Sequence, residues 1–195
     1  MKQILILIIS VILFSCSDSE IRYHIDETTS PTDTLTFLKL DMTPLNGVVY
    51  SEFGENGLYI NGKRNGEHKR WYDNGQLRDV GDYDNGNFLN YKGWFENGNQ
   101  YIHNVPIKDS FYEVSIWFES GQLKQKYSKK GLFVKEGEFR EWFEDGNLRT
   151  EHNYRNNKLN GEWKQYYKED DGSYSMSISN YKDNEQIGET IYTDL

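Results

Sequence analysis

Gly137-Glu138-Phe139-Arg140-Glu141-Trp142-Phe143-Glu144-Asp145-Gly146-Asn147-Leu148-Arg149 holds the pattern that decides the fold. Successive side chains of an extended chain point to opposite sides. Phe139 and Phe143 therefore share one face, while Glu138, Arg140 and Trp142 share the other. Asp145-Gly146 supplies the positive φ that a reversal needs, and a second alternating run follows it. The stretch predicts a β-hairpin.

The same stretch recurs along the chain. An aromatic pair and an acidic turn return at Trp71-Tyr72-Asp73-Asn74-Gly75, Trp94-Phe95-Glu96-Asn97-Gly98, Trp117-Phe118-Glu119-Ser120-Gly121 and, with an insertion, Tyr166-Tyr167-Lys168-Glu169-Asp170-Asp171-Gly172. The leading rings of the five copies lie 23, 23, 25 and 24 residues apart. A degenerate copy stands earlier at Phe53-Gly54-Glu55-Asn56-Gly57, and a truncated one begins at Gly188-Glu189-Thr190-Ile191-Tyr192. A Gly-Glu step precedes three of the pairs, at Gly66, Gly137 and Gly161. On the returning runs, Leu77 and Tyr83, like Leu148 and Tyr154, are six apart and are expected to share a face. A repeat of this length that cannot bury its own apolar side must bury it on its neighbours. The expectation is an all-β fold: an elongated single antiparallel sheet of stacked β-hairpin repeats over residues 34–195, in about six units with the first and last degenerate.

Composition agrees with this reading. There are 15 Tyr, 10 Phe and 5 Trp, and aliphatic residues are scarce outside the first fourteen positions. Apolar burial must come from rings, which suit strands better than helices.

The units resemble the MORN repeat variant family, whose pattern runs close to G-x-W-x-x-Y-Y-x-N-G-x-L, followed by a Tyr and an Asn-Gly-Lys turn. Asn61-Gly62-Lys63-Arg64-Asn65-Gly66 and Asn156-Asn157-Lys158-Leu159-Asn160-Gly161 match that linking turn. The unit from Gly98 to Tyr112 departs from it: Pro106-Ile107 stands in place of the glycine turn, and a proline suits an edge or a loop better than a central strand. The resemblance implies an elongated antiparallel sheet, frequent export as a lipoprotein, and an antitoxin or immunity-like role.

Residues 1–15 read as a signal peptide. Lys2 is followed by an apolar run from Ile4 to Phe14 broken only by Ser10, too short for the roughly 20 residues that span a bilayer. Leu13-Phe14-Ser15-Cys16 resembles the lipobox of bacterial lipoproteins, in which the cysteine thiol receives a diacylglycerol. Cys16 is the only cysteine, so no intramolecular disulfide or cysteine-based zinc site can form. Residues 16–33 read as the lipidated cysteine and a flexible linker, rich in Ser and Thr. Asp33-Thr34-Leu35 resembles a three-residue O-glycosylation signal. The expected location is the cell envelope, lipid-anchored at the outer membrane, with Ser17-Asp18-Ser19-Glu20 resembling a signal for surface display.

The formal net charge of −9 becomes −10 once Lys2 leaves with the leader. Nucleic acid and anionic lipid headgroups are bound through concentrated basic patches, so the overall balance argues against both as partners. His24, His68, His103 and His152 lack ligand spacing and read as surface or half-buried strand residues. Acids that recur at one place in every copy are unlike the single asymmetric pair a hydrolase needs. Asp82-Tyr83-Asp84-Asn85-Gly86 lacks the distal Glu of a calcium loop. No enzyme, cofactor or metal site is expected. Trp71, Trp94, Trp117, Trp142 and Tyr166 are the candidate interaction surface, set against the alternative that the rings pack on one another. The leading expectation is a membrane-anchored, non-catalytic module binding a protein partner, a toxin in its specific version. The alternative is a surface glycan-binding lipoprotein that stacks sugars on this aromatic row.

Overall fold

The computed structural model describes residues 20–32 and 34–194. The leader, Cys16 with the first part of the linker, and Asp33 lie outside the described residues. Fourteen strands form one sheet, and a two-stranded ribbon stands beside it. After β1 (Arg22–His24), β2 (Thr28–Thr29) and β3 (Phe37–Leu38) come β4 (Gly47–Ser51), β5 (Gly54–Ile60), β6 (Lys63–Trp71), β7 (Leu77–Asp84) and β8 (Asn87–Trp94). The series continues with β9 (Gln100–Lys108), β10 (Phe111–Trp117), β11 (Leu123–Lys130) and β12 (Val134–Trp142). It ends with β13 (Leu148–Arg155), β14 (Lys158–Lys168), β15 (Tyr174–Lys182) and β16 (Glu185–Asp194). From β4 to β16 every strand pairs antiparallel with its neighbours in sequence, as stacked hairpins require.

Two kinds of turn alternate, one along each edge of the sheet. The aromatic-acid turns close with two backbone bonds each; in the fourth, Phe143 N donates to Asn147 O at 2.8 Å and Gly146 N to Phe143 O at 3.0 Å. The opposite edge uses two-residue turns with both central residues at positive φ, such as Asn85 (49°) with Gly86 (81°) and Asn156 (51°) with Asn157 (65°). Asn, Asp and Gly tolerate that conformation best, which is why these turns read Asn-Gly, Asn-Asn or Asp-Asn, with Asp109-Ser110 at the β9–β10 end.

The linker expectation needs correction in its second half. Arg22–His24 pairs in parallel with β4, Ile25–Glu27 forms a single 3-10 turn, and Thr28–Thr29 pairs with β3. Thr36 N donates to Gly62 O and Gly62 N to Leu45 O, both at 2.8 Å, so this segment caps the first tight turn. Leu45, Val48 and Val49 are buried beneath it. The few apolar residues of the segment suffice because the edge of β4 and the rings of the first repeat supply the other half of the core.

A second correction concerns which residues share a face. Asp79 pairs with Arg70, but Leu77 pairs with Trp71, leaving Arg78 unpaired as a bulge. Leu77 and Tyr83 therefore lie on opposite faces, and Arg149 separates Leu148 from Tyr154 in the same way. One extra residue in a strand reverses the alternation beyond it. Pro106 sits inside β9, opposite Tyr112, and the pairing of β8 with β9 runs only from Tyr91–Asn104 to Trp94–Gln100. The missing N–H thus falls where that ladder has ended.

Candidate functional site

The two faces of the sheet have different chemistry. On the inner face one register row runs His68, Gly81, Tyr91, Asn104, Val114, Tyr127, Phe139, His152, Trp163, Ser179. Its rings meet in sequence: Tyr127 and Phe139 at 5.8 Å, Phe139 and His152 at 4.6 Å, His152 and Trp163 at 5.2 Å, Trp163 and Tyr181 at 5.4 Å. At the other end Tyr59, His68 and Tyr83 meet edge to face at 4.8 and 5.5 Å. This ladder is the core of the repeats, and Phe139 is only 7% exposed. Its members stand three residues before each leading ring: His68 before Trp71, Tyr91 before Trp94, Val114 before Trp117, Phe139 before Trp142, Trp163 before Tyr166. That offset was present in the sequence. Residue identity along it varies from His to Val, and this conceals the row from a reading by residue type.

His68 and His152 are both buried, more deeply than the expected surface or half-buried strand positions. Burial pushes each pKa down to about 4, with the nearby charge of Arg64 or Lys135 acting in the same direction. His68 Nε2 lies 2.8 Å from Leu58 O, a distance that suits donation from the neutral ring. Both ring nitrogens of His152 lack a partner. Lys135 Nζ lies over Tyr127, Phe139 and Tyr154 at 5.6, 5.2 and 4.9 Å, and Arg64 takes the corresponding place over Tyr83 at 5.1 Å. These are cations held by ring faces.

On the outer face lies the predicted row. Trp71 pairs with Leu77, Trp94 with Gln100, Trp117 with Leu123, Trp142 with Leu148 and Tyr166 with Met176. All five leading rings therefore project from the same face near one edge, and each is half-buried. Leu, Gln or Met fills the strand between, so neighbouring leading rings are about 10 Å apart, two strand widths. They do not stack on one another. Beside them runs a band of ion pairs, including Lys126–Glu113 at 3.0 Å, Arg140–Glu151 at 3.5 Å and Lys164–Glu151 at 3.0 Å.

Each of the four leading tryptophans is followed two residues later by the acid of its turn: Asp73, Glu96, Glu119 and Glu144. The turns are tied to one another, as where Asn97 Nδ2 and Asn99 Nδ2 both donate to Glu119 O at 2.9 Å. Asp145 accepts from Lys168 Nζ at 2.6 Å, from Asn147 N at 3.1 Å and from Tyr174 at 3.0 Å. The lysine contact foremost, with the Asn147 N–H, holds its carboxyl well below the usual range. These are structural partners of a turn carboxylate. Asp82 accepts from Asn90 Nδ2 at 2.6 Å within the sheet. Among the described residues no three His, Cys, Asp or Glu side chains are grouped to hold a metal ion, and no helix is long and apolar enough to cross a membrane.

Curated proteins give no significant match to the chain. The family model of the MORN repeat variant matches residues 64–85 and 135–156. Each span covers one hairpin with its aromatic-acid turn, β6–β7 in the first and β12–β13 in the second, and each ends in an Asn at the tight turn. The β8–β9 and β10–β11 hairpins share the same bulged pairing, and at β6–β7 and β12–β13 the chain carries the MORN repeat variant.

Proposed function

We propose that this chain is a lipid-anchored, non-catalytic module of the cell envelope that presents the outer face of its sheet to a protein partner. MORN-variant repeats in a continuous β-sheet fit a protein-interaction module. The observation that carries the finer reading is the row of Trp71, Trp94, Trp117, Trp142 and Tyr166, half-exposed on one face and bordered by a carboxylate at each of the first four turns. Regularly spaced rings anchor a partner, and the acids favour a basic one. Anchoring through Cys16, residence at the outer membrane and display outward rest on the lipobox and the acidic stretch after it. The antitoxin version of the reading rests on the resemblance to the repeat family.

Affinity capture tests the proposal. Residues 17–195 are immobilised, exposed to envelope and secreted fractions of the source cell, and the bound proteins identified. A single stoichiometric protein, lost with rising salt and lost in Trp117→Ala/Trp142→Ala, is the expected result. Binding that survives the double substitution would remove the row from the reading.

A specific observation also favours the glycan reading. On the inner face over β14–β16, Trp163, Tyr167, Tyr181 and Tyr192 surround Gln165 and Gln186 in a groove of about 320 Å³ whose lining holds no charged side chain. Rings beside neutral donors suit a sugar. Retention of polysaccharide, with no protein captured, would move this reading to the front.

A further inference from the structure

The inner ladder of rings stops short of the last strands. Where β13 sets His152 between Phe139 and Trp163, β15 sets Ser179 beside Trp163, and the two inner positions before it are Ser177 and Ser175. A ring at Ser179 would have continued the core, whereas three alternate serines leave the inner face of β15 low until Tyr181. Taller side chains rise on both sides of them. On β14, Trp163, Gln165 and Tyr167 stand opposite Ser179, Ser177 and Ser175. On β16, Tyr192 stands opposite Ser177 and Gln186 opposite Tyr181, with Thr190 between them. The result is a trough with a hydroxyl floor and two walls of rings and amides. The walls are two strand widths apart, about 10 Å, and the trough runs about 13 Å along the strands from Trp163 to Tyr167. Thr190 Oγ1 lies 2.8 Å from Ser179 Oγ and accepts from Gln186 Nε2 at 3.0 Å, so floor and wall form one connected set of polar groups. Tyr167 is 44% exposed and Tyr192 76%, so water reaches both rings.

We propose, resting on the glycan reading of this groove, that it holds an uncharged, unbranched oligosaccharide lying along the strands, with one sugar ring on Trp163 and Tyr181 and a later one against Tyr167 and Tyr192. A sugar has an apolar C–H face and a rim of hydroxyls that both donate and accept. Aromatic rings take the first, and Gln, Ser and Thr side chains, which also donate and accept, take the second. The width suits a single chain without branches. No charged side chain lines the trough, and two acids stand at its Tyr167 end: Asp194 opposite Ser175, and Glu169 accepting from Ser175 Oγ. A uronate or sulfate bound there would be repelled, which selects an uncharged chain. The trough lies on the opposite face from Trp71, Trp94, Trp117, Trp142 and Tyr166, so a saccharide and a protein partner would not compete for it.

Residues 17–195, which retain every described residue, are titrated with the tetrasaccharides of cellulose, laminarin, mannan, xylan and chitin as uncharged probes and with tetragalacturonate as an acidic one. The expected result is binding of at least one uncharged probe, with slowed amide exchange over Glu185–Asp194 and a shifted resonance of the Trp163 indole N–H, which donates to Thr150 Oγ1 at 2.7 Å. Tyr192→Ala is expected to weaken that binding about tenfold. Ile191→Ala, one residue away on the other face of the same strand, should leave it unchanged. Both side chains are exposed, so both variants should keep the parent far-ultraviolet spectrum. Ser179→Phe, which extends the ladder of rings into the trough, should abolish binding. Preference for tetragalacturonate, or binding of an uncharged probe that is indifferent to Tyr192→Ala, overturns the inference while the glycan reading stands for another sugar class or surface. Failure of every probe overturns it too, and retention of source-cell polysaccharide in the affinity capture then decides whether the glycan reading falls with it. A peptide held through Tyr192 in the absence of saccharide binding would overturn both.

Discussion

Gly137 shows how a single residue sets the repeat. Its φ is +90°, and Gly66, Gly161 and Gly188 at the same place take +73°, +93° and +80°. A Cβ at Gly137 would meet nothing closer than Ser128 Cβ at 3.8 Å, so the demand is conformational and not spatial. Gly137→Ala is expected to cost about 1–2 kcal/mol through backbone strain, read as a lower urea midpoint. Gly57 is limited twice, by a φ of +142° and by His68 Nδ1 at 2.5 Å from its would-be Cβ, so Gly57→Ala should cost more. The buried histidines give a pH signature at the same scale. Each is near pKa 4 in the fold against 6.5 in the unfolded chain. Above pH 6.5 both states hold neutral rings, and this source adds no pH dependence. As pH falls from 6.5 to 4 the unfolded chain takes up protons that the fold refuses, so stability falls, levelling below pH 4. The loss should be on the order of 2–3 kcal/mol per histidine. His152→Phe, which removes two unpartnered ring nitrogens from a stack of rings, should reduce the slope between pH 6.5 and 4 and raise the urea midpoint at pH 7. A slope equal to the parent's would show that His152 is charged in the fold.

At the scale of the element, each hairpin divides its rings between two tasks. Phe139 and Trp142 lie three residues apart on one strand, yet one stacks in the inner ladder and the other sits half-exposed on the outer face. Phe139→Ala is expected to cost about 3–5 kcal/mol, and Trp142→Ala only about 1–2 kcal/mol. Equal costs in chemical denaturation would mean that the outer row is core, and the interaction reading would lose its support. The bulge after each of the first four aromatic-acid turns separates the tasks, while β14 and β15 pair without one. Arg78 and Arg149 are the unpaired residues, and they carry the chain from the outer face at Leu77 and Leu148 to the inner one at Asp79 and Thr150. Asp79 repays this position by taking Arg70 at 2.7 Å and Arg78 at 3.0 Å.

For the molecule as a whole, β5 to β16 pair only with neighbours in sequence, so stability is spread along one dimension. The N-terminal end is closed by the cap around Leu45 and Thr36, while β16 exposes Ile187, Ile191 and Tyr192. Opening should therefore start at β16. Hydrogen exchange is expected to be fastest over Glu185–Asp194 and slowest over the inner ladder of β12–β14, with a broad or multiphasic urea transition. Uniform protection along the sheet would instead show one cooperative unit. Charge is also divided at this scale, with acids along the aromatic-acid turns and lysines gathered at the β11–β12 tip.

The alternation of rings, the spacing of about 24 residues and the Asn-Gly turns determined the hairpins, their antiparallel order and the sharing of one face by the five leading aromatics. Each of these depends on local geometry, which a strand and a turn carry in their own residues. The capping role of residues 22–45 was decided only in three dimensions, because its contacts join residues far apart in sequence with weak apolar patterning of their own. The face of Leu77 and Leu148 was likewise decided by pairing, since a bulge is a property of two strands and leaves no mark in either alone. Burial of His68 and His152 followed from the rings stacked on them, and the exposure of Phe133 from the absence of any such neighbour among the described residues. A residue type announces what a side chain can do, while packing against other strands determines whether water reaches it.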